Sequence, residues 1–270
     1  MNGNKNRVGR RTFLRFLLPC VLLCLSLASG SAFSQNGGEL HGHAQPAVGP
    51  VSPANKFWFN SKLKADPYRP DAALERLQND GFHPQNGALL DKAGNVVEFS
   101  IVTNAGSKPR ERMAVMVQED LGKLGIKVNV VPLDFRSLIE RISQKFNYEA
   151  AILGFRNVDL DPSGQMNIWL SSAEDHAWNP QQKPETAWEG EIDRFMRAQA
   201  STTDPNQRKQ NFDRVQEIVA EQAPILYLVN QNALSAVSAA VEGANPGILT
   251  PQTFWNAERL TLNATTRASR

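Results

Sequence analysis

The sequence predicts an α/β fold: a mostly parallel sheet flanked by helices. Three observations carry that expectation. Strand and helix patterns alternate between Asp71 and Phe155, which is the signature of βαβ units. The order strand, helix, strand, helix, strand implies right-handed crossovers. The segment Tyr148 to Phe155 is a nearly continuous apolar run, expected for a central strand covered on both faces.

The elements follow in order. Asp71 is placed to cap a short helix carrying Leu74 and Leu77, with Gly81 as its stop. Asp91-Lys92-Ala93-Gly94 is a turn signature leading into a strand with Val97, Phe99 and Ile101 on one face. Ser107 is expected to cap a helix whose Met113, Val117, Leu121 and Leu124 form one stripe, ended by Gly125. Ile126, Val128 and Val130 alternate in the next strand. Asp134 caps a helix with Leu138, Ile142 and Phe146 spaced four apart, and the apolar run follows.

Beyond Phe155 lies a polar stretch to Pro162, then a short helix at Ile168-Trp169-Leu170. Residues 173–187 are polar and read as a long surface loop. A helix covers about Glu189 to Ala200, and another starts at the Asp204 cap with Pro205 in its first turn. Its stripe is Phe212, Val215, Ile218 and Val219, and it stops before Pro224. Ile225 to Val229 is expected as a buried strand, then Leu234 to Val237, then a loop reaching Phe254-Trp255.

The 270 residues carry 41% apolar and 21% charged side chains with net charge +2. That composition excludes collagen-like, disordered and polytopic membrane classes, and the charge gives no bias toward nucleic acid. The charge is uneven. Residues 1–34 hold Lys5, Arg7, Arg10, Arg11 and Arg15 and no acid. A basic stretch, the apolar run Phe16 to Ala28 and small residues at Ser29–Ala32 form the order of a secretory signal peptide. The run is shorter than the ~20 residues a spanning helix needs. Arg10-Arg11-Thr12-Phe13-Leu14 resembles a twin-arginine export motif, with the general export route as the rival. Cys20 and Cys24 both lie in the run, so cleavage near Ala32 or Ser34 would leave a mature chain without cysteine. Residues 35–53 read as a linker or extended lead-in. His41 and His43 lack further partners for a metal site, and no metal or cofactor is expected.

Catalytic patterns are sparse: there is no nucleophile elbow, phosphate loop or paired-histidine zinc motif. No enzyme is expected. The rival is an exported hydrolase using the 155–161 loop, with Asp159 and Asp161 as a carboxylate pair, or Asp175 and His176. Ligands of open α/β sheets gather at the carboxyl ends of strands. Phe155, Arg156, Asn157, Asp159 and Asp161 follow the apolar strand and supply ring, guanidinium, amide and carboxylates for a polar ligand. A solvated, self-capped turn is equally open from composition alone.

The motifs Gly42-His43-Ala44-Gln45-Pro46, Tyr68-Arg69-Pro70-Asp71, Asp80-Gly81-Phe82, Leu121-Gly122-Lys123-Leu124-Gly125, Gly154-Phe155…Asp161-Pro162 and Arg208 to Tyr227 occur in an order that resembles one family. It is the periplasmic solute-binding proteins of peptide-type ABC importers, solute-binding family 5, in their C-terminal lobe. The resemblance implies a periplasmic-binding-protein-like lobe, capture of a small, peptide-like solute and delivery to an ABC permease in the inner membrane. Phe155 stands where the family usually has Trp. Val158 stands where peptide-binding members carry an Asp for the ligand amine, with Asp159 one residue late. The implied division is a signal peptide over 1–34, a solute-binding lobe over 54–224, and 225–270 as strands and tail of a first lobe. That first lobe is expected before Gly42, so the resemblance implies an internally deleted or misassembled receptor that binds its solute weakly or not at all. A third reading is an interaction module docking through Trp178, Trp188 or Trp255, although Trp255 is expected to be buried.

Overall fold

A computed structural model of the chain describes residues 43–65, 67–155, 161–248 and 252–263. The expected signal peptide, both cysteines and His41 lie outside them.

Strand β1 (Ala44–Pro46) opens the described chain. Helix α1 (Pro70–Asn79) follows, then the hairpin β2 (His83–Gln85) and β3 (Ala88–Leu90). The central unit is β4 (Glu98–Asn104), α2 (Lys108–Gly122), β5 (Lys127–Leu133), α3 (Phe135–Ile139) and β6 (Ala150–Ile152). Its three strands form one parallel sheet in the order β5-β4-β6. The expected α/β class and parallel sheet are both present.

The local sequence explains the boundaries. Both α1 and α2 end on a glycine in the left-handed region, Gly81 at φ +89 and Gly125 at φ +79. At each end two backbone N–H groups turn back: Gly81 to Gln78 and Phe82 to Leu77, Gly125 to Gly122 and Ile126 to Leu121. This double closure satisfies the last carbonyls of the helix and suits a residue without Cβ. The Asp134 carboxylate accepts from Ser137 N–H and starts α3. The Asp91 carboxylate accepts from the N–H groups of Ala93 and Asn95 and holds the turn before β4.

Several expectations are corrected. Arg69, not Asp71, occupies the cap position of α1, because Pro70 takes the first helical position where its missing N–H costs nothing. Ser107 is at the cap of α2 but its hydroxyl caps nothing; Glu111 instead accepts from Gly106 N–H. After Ile139 the α3 ladder widens into a π turn over Glu140–Gln144, so Phe146 falls beyond the helix at φ +47. The largest correction concerns the sheet. The strand covered on both faces is β4, with Phe99 and Ile101 buried on one side and Val102 on the other. Strand β6 is a three-residue edge of the described sheet and only half-buried. An apolar run reports a lack of polar residues, and the number of strand neighbours is set by tertiary pairing.

Cores form on both sides of β4. Ala73 and Leu77 of α1 and Ala114, Val117 and Leu121 of α2 pack on the Phe99 face. Leu138 and Ile142 pack on the Val102 face. A third cluster belongs to the helices beyond the sheet: α4 (Met166–Trp169), α5 (Ala187–Ala200) and α6 (Pro205–Gln222). There Trp169, Ile192, Met196 and Phe212 are buried together with Trp58 and Val51. Val51 and Ala47 are thus core residues within the expected lead-in.

The C-terminal expectations change too. Ile225–Leu228 is not strand; β7 (Val229–Gln231) pairs antiparallel with β1. Leu234 and Val237 are exposed and outside any strand. Two further short strands, β8 (Val241–Glu242) and β9 (Thr261–Leu262), pair with each other, and Trp255 is exposed rather than buried.

Gly125 gives the sharpest stability test. A Cβ there would lie 2.7 Å from Leu89 N and 2.9 Å from the Ala88 carbonyl carbon, both backbone atoms. Gly125→Ala should therefore lower the unfolding free energy by about 2 kcal/mol, from left-handed strain and the clash together. Urea titration of the two proteins checks it.

Candidate functional site

The carboxyl ends of β4 and β6 form the rim where a ligand of such a sheet would sit. Phe155 is there, three residues past β6, with its ring 55% exposed. Arg156, Asn157, Val158 and Asp159 lie outside the described residues. The described chain resumes at Asp161, at the start of a 3-10 turn over Pro162–Gln165.

Asp161 is committed to the framework. Its carboxylate accepts from Ser163 N–H and from Arg208 Nη2 at 2.7 Å. The Arg208 guanidinium, aided by Ser163 and opposed by burial, holds this carboxyl at about 2. The same guanidinium donates to Ser163 Oγ, the Gln199 carbonyl and Gln199 Oε1, and its carbon sits 5.2 Å from the Trp58 ring centre. Arg208 thereby ties α6, the end of α5 and the turn after the candidate loop into one joint. A planar fork with five donors suits that role, which Lys lacks the geometry to fill. Asp161 remains 45% exposed, so solvent screening keeps the ion pair itself to an order of 1 kcal/mol.

The polar stretch 173–187 is a largely exposed loop, as expected, but it carries two buried polar side chains. His176 and Asn179 are buried in it around Glu189, whose side chain is 3% exposed. The Glu189 carboxylate accepts from the backbone N–H of Glu185 and Thr186 at 2.7 and 2.9 Å. It also accepts from Trp178 Nε1 at 3.2 Å and Asn179 Nδ2 at 3.3 Å, with His176 Nε2 at 3.5 Å. Thr186 Oγ1 accepts from Glu189 N–H, closing a reciprocal cap on α5. Burial alone pushes the Glu189 carboxyl up, but the donors from His176, Glu185, Thr186 and Asn179 prevail and hold it at about 2.

This arrangement separates the residues of the hydrolase rival. Asp175 is exposed and accepts from Asn167 Nδ2. His176 is buried, with Nδ1 3.0 Å from the Ile168 carbonyl oxygen and Nε2 toward Glu189. The adjacent pair makes no dyad. The sequence marks Glu189 only through the Thr-x-x-Glu spacing at Thr186 and Glu189.

Glu189 sets a pH dependence with a definite sign. Its folded value of about 2 lies below the ordinary 4.5, so its contribution is complete above pH 4.5 and is lost as pH falls toward 2. Denaturant midpoints measured across that window should fall more steeply for the native sequence than for Glu189→Gln. Glu189→Ala should cost about 3 kcal/mol at neutral pH, because its buried donors lose their acceptor.

The family model for bacterial extracellular solute-binding proteins, family 5 (middle region), matches residues 38–177. The chain is 29% identical over 192 residues to the oligopeptide-binding protein AppA of Bacillus subtilis strain 168, covering 70% of this chain and 32% of that protein. It is 25% identical over 204 residues to di/tripeptide-binding protein 4 of Pseudomonas aeruginosa strain UCBPP-PA14, covering 75% and 36%. The solved structure of B. subtilis AppA with a nonapeptide superposes with a TM-score of 0.70 at 25% identity, covering 89% of this chain and 47% of that one. NikA of Brucella suis with Fe(III)-EDTA superposes at 0.74 with 18% identity, covering 90% and 48%, and shares the fold. The chain thus spans about a third of these curated relatives and about half of these solved chains. With the family model over half its length and the parallel sheet matching solved members, the chain belongs to the bacterial extracellular solute-binding proteins, family 5.

Proposed function

We propose that this chain is solute-binding material of an ABC importer for peptides or similar small solutes, with its contact surface at the carboxyl rim of β4 and β6. One observation carries the reading: Phe155 stands exposed at that rim, three residues past β6. An exposed aromatic face at a strand end offers stacking and apolar contact to a solute that covers it. Arg156, Asn157 and Asp159 follow it in sequence and supply polar contacts in this reading, while Asp161 anchors the far side of the loop. The solute-binding lobe is 54–224, and its partner is a permease in the inner membrane. Residues 1–34 direct export to the periplasm, by a twin-arginine or general signal.

An NMR titration of the full chain with a defined mixture of tri- and tetrapeptides tests this. Saturable shifts should centre on residues 153–155 and 161–163. Phe155→Ala should weaken binding about tenfold and Phe155→Trp should preserve it, since a ring face worth about 1.4 kcal/mol corresponds to that factor. Shifts confined to other surfaces, or none at millimolar peptide, would contradict the proposal.

A further inference from the structure

The segment 51–65 packs on α6 and lies outside the sheet. Its inner side is fixed. Trp58 is buried, with its ring edge-on to Phe212 at 6.2 Å. Gln216 of α6 donates from Nε2 to the Trp58 carbonyl at 2.9 Å and accepts at Oε1 from Asn60 N–H at 3.3 Å. Asn60 is also buried, and its Nδ2 donates to the Asp213 carbonyl. The backbone folds into two successive turns, Phe59 N–H donating to the Asn55 carbonyl and Leu63 N–H to the Asn60 carbonyl. The helix therefore sets the path of this segment, and no partner is needed to order it.

The outer side has a different chemistry. Lys56, Lys62 and Lys64 are exposed, and so is Phe57, at 49%. The Phe57 ring stands 4.7 Å from that of Trp58 at 83°, so its orientation is held although half of it meets solvent. From Val51 to Tyr68 the three lysines are balanced by a single acid, Asp66, so the segment is net positive whatever Asp66 pairs with. The two acids of α6 that Asn60 meets are matched by cations of the same helix, Asp213 by Lys209 and Glu217 by Arg214. The lysines thus set the sign of this surface. It opposes the balance of the chain beyond residue 34, since five of the 29 basic side chains, and none of the 27 acidic ones, lie within residues 1–34.

We propose that residues 54–65 dock on an anionic phospholipid surface, with Lys56, Lys62 and Lys64 at the headgroups and Phe57 at the acyl boundary. A bilayer carries negative charge over an apolar interior, and a ring set among lysines meets both. Long lysine stems keep the ammonium groups at headgroup level while the ring enters. Approach by this face is attractive where the net charge of the body is repelled, so the same charges orient the molecule. The inference goes beyond solute binding and does not rest on it.

Hydrogen–deuterium exchange of the full chain tests it with two kinds of vesicle, pure phosphatidylcholine and an equimolar mixture with phosphatidylglycerol. Exchange over residues 54–65 should slow with the mixed vesicles only, and high salt should abolish the effect. The triple variant Lys56→Gln, Lys62→Gln, Lys64→Gln should lose it. Each lysine at an anionic surface is worth about fivefold in affinity, and the three together about a hundredfold. Residues 1–34 are the same in both proteins, so binding through them leaves the difference intact. Phe57→Ser should weaken the protection and keep the preference for the mixed vesicles. If the urea midpoint shows the triple variant destabilised, Lys56→Gln alone decides, with its loss of about fivefold. No protection over 54–65 with mixed vesicles, equal protection with pure phosphatidylcholine, or unchanged protection in the lysine variant overturns the proposal. Protection by soluble polyglutamate as strong as by the mixed vesicles also overturns it, in favour of an acidic protein partner.

Discussion

The arrangement of this chain follows from one constraint: β4 has to be covered on both faces and paired on both edges. Phe99 and Ile101 demand helices α1 and α2 on one side, and Val102 demands α3 on the other. The strands that satisfy its edges, β5 and β6, run parallel to it, so their carboxyl ends leave the sheet together. Parallel pairing needs crossover helices, and those helices are the same ones that close the two cores. The rim carrying Asn104, Arg110, Gly154 and Phe155 is the geometric product of that solution. The candidate site is therefore a consequence of covering a strand rather than an addition to it.

Two charged side chains join the remaining helices to this frame by different physics. Glu189 is buried and hydrogen-bonded, so its value lies in being satisfied: donors from Trp178, Asn179, Glu185 and Thr186 face one carboxylate. Arg208 is partly exposed and acts through geometry, joining Asp161, Ser163, Gln199 and Trp58 with one planar group. The first fixes the loop before α5, and the second fixes the turn that begins at Asp161.

What the sequence disclosed and what it hid divide along the range of the interactions. Gly81, Gly125, Asp134 and Asp204 act on backbone within a few residues of themselves, and each marks its helix boundary as expected. The stripe Phe212, Val215, Ile218, Val219 is likewise local and buries as a unit. The rank of strands was not legible, because β4 and the Tyr148–Phe155 run differ in pairing partners, which periodicity does not encode. Buried polar residues were hidden for a related reason: His176 and Asn179 look like loop residues until Glu189 is placed beneath them. The ion pair of Asp161 with Arg208 was not legible, because the two lie 47 positions apart in the chain.

The most direct measurement is hydrogen–deuterium exchange of the full chain with and without saturating tri-alanine. The account predicts slower exchange confined to segments around residues 104–110 and 153–161, where the strand ends and the first turn of α2 meet. Protection confined to the segment 225–263, or no change at the β4–β6 rim while peptide is bound, would contradict it.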